Sequence, residues 1–401
     1  MREALEQPGL ISLAAGFTDN PSLPVAETRV IIKDLLKGNK GPSHLQYGTT
    51  HGDGPLRKLT AQRLARMDKR PKKGKHYNPD RVLITHGSQQ LLYILNEILF
   101  DPGDIVLVED PSYFVYLGIM QSHGVHGKGI RMEPDGLDLA SLKTTLEKLK
   151  KSRQLTRLKA LYLVSYHSNP TGTTTCAAKK DAALKILKKY EKAAGHPLYL
   201  IEDAAYRELS FSGEDTPSAL SFHSAANRVI YTSTYSKPFA TGLRVGYGFL
   251  PEPLFTAAAR VKGNHDFGTA NFLQQILSSA VANESYEKHV QKLRKRYASK
   301  AHAMTRACKK HFPEKIKWEI PEGGLYLWAN LPTKVKTDMR SKLFAESLKQ
   351  KVLYVPGNLC YCDDSTRRKP NHQMRLSYGS ASIKDIEEGI TRLGRAIKKV
   401  M

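Results

Sequence analysis

The sequence predicts an α/β protein whose central sheet is mostly parallel. Between residues 81 and 250, short β-rich runs alternate with stretches of helical periodicity. Several of these runs are apolar throughout, which is typical of central strands that are covered on both faces. Alternating strands and helices are the pattern of βα units, which build parallel sheets.

The same patterns place the individual elements and suggest two domains. The predicted strands are 81–85, 104–109, 160–165, 198–202, 229–233 and 245–250, with helices at 89–100, 139–151 and 177–194. Further along the chain, the predicted helices are 286–311, 339–351 and 383–398, and the predicted strands are 315–320, 324–330 and 374–378. We therefore expect a large α/β domain at 31–284 and a smaller α+β domain at 285–401. Because no long Gly/Ser linker separates them, we expect the two domains to interlock.

Composition is typical of a globular protein, with 40% hydrophobic and 25% charged residues. The most apolar windows, such as 91–100, are interrupted by polar residues and are too short to span a bilayer. The N-terminus lacks the charged region and uninterrupted apolar core of a secretory signal. We therefore expect a cytoplasmic protein without membrane contact.

The formal net charge is +24, which raises the question of nucleic-acid binding. Basic runs occur at 69–75, 148–153, 292–296 and 367–369, but they are scattered and lack interleaved aromatic residues. We interpret them as a solvated basic surface and expect no nucleic-acid partner.

The cysteines predict neither a disulfide framework nor a metal site. The chain has four, at positions 176, 308, 360 and 362. This is too sparse for a disulfide framework. Cys360 and Cys362 have CxC spacing, but no second Cys or His pair nearby completes a zinc site.

Polar residues follow each of the predicted strands, where open α/β sheets bind their ligands. The first strand is followed by HGSQQ at 86–90, and such a helix N-terminus is a natural seat for phosphate, although Gly and Ser are also common caps. Tyr113 follows the second strand, where packing is the alternative role. Asn169 lies in the turn sequence SNPTG after the third.

The next two strand ends carry charged groups. Asp203 ends an apolar strand, where a carboxylate is costly unless it is paired with a positive group. Thr234, Ser236 and Lys237 follow the fifth strand, and Arg244 comes soon after. Two hydroxyls, an arginine and a lysine near one strand end indicate an anion site beside a nucleophile.

These segments resemble a known family in residue type and in order. The matching segments are LQYGTTHGDGPLRKL (45–59), SNPTG (168–172), EDAAY (202–206), TYSKPFATGLRVG (234–246) and MRLSYGSAS (374–382). They are similar to the landmarks of class I/II aminotransferases, which are fold-type I enzymes dependent on pyridoxal 5′-phosphate (PLP). Within that family they resemble the branch that includes 2-aminoadipate and kynurenine aminotransferases. The resemblance extends from about residue 11 to residue 398.

The resemblance implies PLP as the cofactor and assigns it partners. Lys237 would form the Schiff base, Asp203 would pair with the pyridine nitrogen, and Tyr206 and Asn169 would bond the phenolic oxygen. Tyr113 would stack on the ring. The phosphate cup would consist of Ser88, Gln89, Thr234, Ser236 and Arg244. Catalysis would rest on Lys237, Asp203 and Tyr206.

The resemblance also implies how substrate binds and how subunits associate. Arg375 would bind the substrate α-carboxylate, with Asn169 and Gly16 beside the substrate. Residues 1–30 would pack near the active site. Tyr47 would reach the phosphate in a neighbouring subunit, which implies a homodimer with shared sites.

The implied activity is transfer of the amino group of an L-amino acid to a 2-oxo acid such as 2-oxoglutarate. The donor would be aromatic, 2-aminoadipate-like, branched or aliphatic. The same frame also supports lyases and decarboxylases. A ligand-sensing module of a transcriptional regulator is a further alternative, and we expect it less because the chain starts close to the ISLAAGF landmark at 11–17.

Overall fold

A computed structural model describes residues 8–70, 77–211, 215–225 and 227–401. The strands are β1 Ile11–Ser12, β2 Val82–Thr85, β3 Ile105–Asp110, β4 His126–Glu133, β5 Gly136–Leu137, β6 Leu158–Val164, β7 Tyr199–Asp203, β8 Val229–Thr234, β9 Gly246–Phe249, β10 Tyr326–Asn330, β11 Val352–Leu353, β12 Val355–Pro356 and β13 Gln373–Ser377. The helices are α1 Val25–Leu35, α2 Gly41–Leu45, α3 Gly54–Met67, α4 Gly87–Leu99, α5 Phe114–Ser122, α6 Leu139–Lys151, α7 Ala177–Ala194, α8 Leu254–Asp266, α9 Asn271–Ala282, α10 Ser285–His311, α11 Lys342–Lys349 and α12 Ile383–Val400.

The central sheet has eight strands in the order β2-β9-β8-β7-β6-β3-β4-β5. Strands β8, β7, β6, β3 and β4 are parallel, while β9 runs antiparallel to both of its neighbours and β5 pairs antiparallel with β4. This confirms the predicted α/β class and the mostly parallel sheet.

Strand register brings the predicted site residues to one edge of this sheet. Asp203, the last residue of β7, is opposite Val164 of β6 and Thr232 of β8. Thr234, the last residue of β8, is opposite Gly246 of β9. Because parallel strands end at the same edge, the loops that follow them are neighbours.

Helices around the sheet form for reasons that are visible in the sequence. The carboxylate of Asp138 accepts hydrogen bonds from the N–H groups of Ala140 and Ser141 at 2.8 and 3.0 Å, which caps α6. This helix buries Leu142, Leu146 and Leu149 at helical spacing. The charged residues between them face solvent.

A smaller antiparallel sheet with the order β10-β13-β12 lies in the C-terminal part of the chain. Its apolar side chains form a hydrophobic cluster with α10, α11 and α12, which also includes Leu13 and Ala14 of the N-terminal segment. That segment is fixed by parallel pairing of β1 with β11. This packing supports our proposal that residues 31–284 and 285–401 form two domains, with the N-terminal segment placed against the second.

Two predicted elements of the C-terminal part differ from the structure. The strand predicted at 315–320 is wrong, because only Lys317 pairs there, in an isolated bridge to Asn330. The helix predicted at 339–351 spans only Lys342–Lys349, since Ser341 caps it through the N–H of Phe344. Within the described residues, no helix combines the length and apolar character needed to cross a membrane.

Candidate active site

Lys237 lies just past the end of β8, with its amine in the cleft that the strand ends form. Its Nζ donates a hydrogen bond of 2.7 Å to the carbonyl oxygen of Gly16 in the N-terminal segment. Burial lowers the pKa of Lys237, and the nearby positive charges of Arg244 and Arg375 lower it further. The amine is therefore more readily deprotonated than an exposed lysine, as a nucleophile or general base requires.

Asp203 is a buried carboxylate at the end of β7. It accepts hydrogen bonds from the Tyr162 hydroxyl at 2.9 Å and from the N–H of Ala205 at 3.1 Å. Burial raises its pKa to about 6. Among the residues that the structure describes, no lysine, arginine or histidine forms an ion pair with it. A cationic ligand group that reached Asp203 would remove the cost of burying its charge.

The N-terminus of α4 and the loop between β8 and β9 form an anion-binding arrangement. Among the described residues, no side chain caps this helix at His86. The first N–H groups of an α-helix have no intrahelical acceptor, so they are available to a ligand. Arg244, in the left-handed conformation at φ 51°, donates from Nη1 to Ser236 Oγ at 3.3 Å. Added Cβ atoms at Gly87 and Gly246 would collide with Arg244 and with the α4 N-terminus respectively, so glycine permits this close approach.

The predicted phosphate-cup residues differ in how they could contribute. Ser88 is partly buried, whereas Gln89 is exposed and would act through its backbone N–H. The Thr234 hydroxyl is already engaged, since it donates to the Val245 carbonyl at 3.2 Å and accepts from the Ser236 N–H at 3.1 Å. The sequence interpretation missed Gln90, which accepts from the His86 N–H at 2.8 Å and fixes this turn.

Arg375 and Asn169 are in direct contact although they are far apart in sequence. Nη1 of Arg375 donates to Asn169 Oδ1 at 2.7 Å, and Nη2 donates to the Ala14 carbonyl at 2.6 Å. The buried Nε has no hydrogen-bond partner within the described part of the chain. The guanidinium lies over the rings of Phe114 and Tyr326, with centroids at 5.3 and 4.4 Å. An anionic ligand could satisfy the free N–H.

Three tyrosines extend the site, and the sequence interpretation missed one of them, Tyr326. The hydroxyls of Tyr206 and Tyr326 are 3.0 Å apart. Burial raises the pKa of Tyr206. Tyr113 immediately precedes α5. Burial raises the pKa of Tyr113, and electrostatic interactions with Tyr326 and Asp203 raise it further. The only sequence signal for Tyr326 is a hydroxyl within the otherwise apolar run 325–329.

Tyr47 and Gly16 complete the predicted set. Tyr47 is 81% exposed and contacts Phe267 edge to face at 5.5 Å, so its own chain leaves it at the surface. Gly16 lies close to Tyr326, because an added Cβ would be 2.6 Å from the Tyr326 hydroxyl oxygen. Apart from Tyr47 and the exposed Gln89 side chain, contacts and strand ends therefore bring the predicted residues together near one edge of the central sheet.

Three observations show that PLP fits this cleft. Asp203 is a buried carboxylate with which no cationic side chain of the described residues pairs, and this suits a protonated pyridine nitrogen. The uncapped α4 N-terminus and Arg244 suit a phosphate group. Lys237 supplies an amine with a lowered pKa. When bound there, PLP supplies an electron sink for bond cleavage at the substrate Cα.

Comparisons with known proteins agree with this geometry. The family model for aminotransferase class I and II matches residues 8–393. Aromatic-amino-acid aminotransferase 1 of Thermococcus litoralis is 30% identical over 398 residues, covering 99% of this chain and 90% of that protein.

Two solved structures share the whole fold. A kynurenine aminotransferase of Pyrococcus horikoshii, in complex with PMP, matches with a TM-score of 0.90 and 30% identity, covering 99% of this chain and 94% of that one. The α-aminoadipate aminotransferase LysN of Thermus thermophilus, complexed with N-(5′-phosphopyridoxyl)-L-leucine, matches with a TM-score of 0.85 and 29% identity, covering 100% of this chain and 94% of that one. With the family match and the cleft geometry, they establish that the chain belongs to the class I and II aminotransferases and that PLP is its cofactor.

Proposed function

We propose that this aminotransferase takes the amino group of L-amino acids with aromatic, 2-aminoadipate-like, branched or aliphatic side chains and passes it to 2-oxoglutarate. The observation that carries the proposal is the environment of Arg375, whose Nε lacks a partner among the described residues while two aromatic rings flank its guanidinium. Such a site suits the α-carboxylate that all of these donors share. The three relatives named above act, by their names, on substrates of the aromatic or aminoadipate type.

In this proposal each residue has a defined task. Arg375 binds the substrate α-carboxylate, and Asn169 holds the guanidinium in place through their 2.7 Å hydrogen bond. The Asp203 carboxylate keeps the pyridine nitrogen protonated. With PLP held there, Nζ of Lys237 would take the proton from the substrate Cα as a general base and deliver it to C4′ of the cofactor as a general acid. Its lowered pKa suits both steps.

We further propose a homodimer in which Tyr47 serves the partner's site. Exposed apolar side chains are concentrated in and around α1 and α2, which both contact α9. They are Phe17, Val25, Val30, Leu36, Leu45, Tyr47 and Phe267. An apolar patch of this kind supports a protein interface.

The substrate range can be tested with half-reactions on the PLP-loaded enzyme. We expect phenylalanine, kynurenine, 2-aminoadipate and leucine, each added without an acceptor, to convert the bound cofactor to its amine form, seen as a change in its absorbance. 2-Oxoglutarate should then reverse the change. Aspartate and lysine provide comparison donors with other side chains. Conversion by these two alone would contradict the substrate proposal, whereas release of carbon dioxide or ammonia without conversion would contradict transamination of the donors tested.

A further inference from the structure

Tyr326 occupies the centre of the active site without a role in the proposed chemistry. It is the first residue of β10, and its side chain is buried. Its ring packs edge to face against Tyr206 with centroids 5.6 Å apart, and the two hydroxyl oxygens are 3.0 Å apart. The Arg375 guanidinium covers the ring at 4.4 Å. Tyr326 therefore contacts both Tyr206, the predicted partner of the cofactor, and Arg375, the predicted partner of the substrate.

The backbone is also arranged to admit this hydroxyl. Any side chain at Gly16 would place its Cβ 2.6 Å from the Tyr326 oxygen, closer than packed atoms approach. The carbonyl of the same glycine accepts the hydrogen bond from Lys237. Tyr326, Gly16 and Lys237 thus form a continuous contact, and a Phe at position 326 would leave the Tyr206 hydroxyl without this partner.

The direction of the hydrogen bond between the two hydroxyls depends on where Tyr206 donates its own proton. Each hydroxyl has one proton to donate, and the geometry allows either oxygen to be the donor. If Tyr206 donates its proton to the phenolic oxygen of PLP, the role that the family resemblance implies and that we propose for it, its oxygen remains as an acceptor. We infer that Tyr326 is a positioning residue that donates its proton to Tyr206 and so holds Tyr206 as a donor to the cofactor.

This inference rests on the proposed role of Tyr206 and has a spectroscopic consequence. Hydrogen bonds in a chain polarise and strengthen one another. A donor to the phenolic oxygen favours its ionised form, so a stronger donor lowers the pH at which the bound cofactor loses its proton. The ionisable groups that interact with one or both of the two tyrosines, and that every variant below retains, are Tyr113, Lys237, Tyr297, Arg375 and Tyr378.

The test is a pH titration of the cofactor absorbance of the PLP-loaded enzyme without substrate. We expect Tyr326→Phe to raise the midpoint by about 0.5 to 1 unit, the size expected for one hydrogen bond. Tyr206→Phe should raise it further, and the double variant should match Tyr206→Phe alone, because Tyr326 acts through Tyr206. PLP affinity should change little in Tyr326→Phe, which retains the ring.

Tyr354→Phe is the matched control. Its buried hydroxyl donates to the Thr337 carbonyl at 2.9 Å in the same hydrophobic cluster and is not among the site residues. We expect it to leave the midpoint unchanged. A wild-type midpoint in Tyr326→Phe, or an additive shift in the double variant, would overturn the inference. A wild-type midpoint in Tyr206→Phe would instead refute the proposed role of Tyr206, and the inference with it.

Discussion

At the scale of single residues, Asp203 shows how burial prepares a group for its ligand. Burial raises its pKa from 3.8 to about 6, so the folded cofactor-free chain binds this proton more tightly than the unfolded chain does. The stability gained from that proton is complete below about pH 4 and is lost as the pH rises through about 6. The carboxylate is thus poorly accommodated until a cation pairs with it.

We predict that Asp203→Asn abolishes this dependence on pH. Between about pH 4 and 6, the free energy of unfolding of the cofactor-free wild type should fall by about 1 to 3 kcal/mol relative to the variant. With PLP bound, the free energy of unfolding of the wild type should no longer fall relative to that of the variant over this pH range, because the pyridine nitrogen pairs with the carboxylate. The variant should lose about 100-fold or more in turnover. Chemical denaturation at several pH values measures the difference, and parallel curves for the two cofactor-free proteins would contradict it.

The residues of the active site were predictable from the sequence only where they belong to a recognisable motif. Lys237, Asp203 and Arg244 follow strand ends in a recognisable order, and the structure brings them to one edge of the sheet. Tyr326 has no such signal, because its importance depends on contacts with Tyr206 and Gly16, which are distant in sequence.

At the scale of elements, hydrophobic periodicity correctly predicted those helices and strands whose apolar residues recur at regular spacing. The predicted helices at 139–151 and 177–194 have the bounds of α6 and α7. Strand β4 was missed, because its sequence HGKGIRME is polar and glycine-rich. Its glycines are required by tertiary contacts, because an added Cβ at Gly127 would collide with Cys362 and one at Gly129 would collide with Asp110. The local pattern of apolar and polar residues contains no information about such contacts.

The close packing of Gly246, the first residue of β9, against the start of α4 provides a prediction at this scale. We expect Gly246→Ala to weaken PLP binding at least tenfold and to destabilise the fold by about 1 to 3 kcal/mol. The reason is that the new methyl group would push against the backbone of Gly87 and Ser88 and displace the α4 N-terminus. Titration of the cofactor-free protein with PLP measures the affinity.

Gly242→Ala is the matched control in the same motif. No atom lies within 4 Å of an added Cβ at this position. This variant should bind PLP as the wild type does. Equal affinities for Gly246→Ala and the wild type would show that the close approach of Gly246 to α4 does not shape the phosphate site.

At the scale of the whole molecule, the exposed position of Tyr47 allows a direct test of the proposed homodimer with shared sites. Its side chain is 81% exposed, and its neighbour Phe267 is 59% exposed. If Tyr47 reaches the partner's phosphate, each site draws Tyr47 from one subunit and Lys237 from the other. Two different inactive variants can then restore a complete site when they form a mixed dimer.

We predict this complementation for Lys237→Ala and Tyr47→Ala. Each variant alone should be strongly impaired, the first for lack of the reactive amine and the second for weak PLP binding. In a co-expressed mixture with random pairing, half of the dimers are mixed and each has one intact site, so about a quarter of the wild-type activity should return. Phe267→Ala, paired with Lys237→Ala, controls for general effects on the interface, because Phe267 is not assigned to the cofactor. If the Lys237→Ala and Tyr47→Ala mixture has only the summed activity of its components while mass measurements show mixed dimers, each chain must build its site alone.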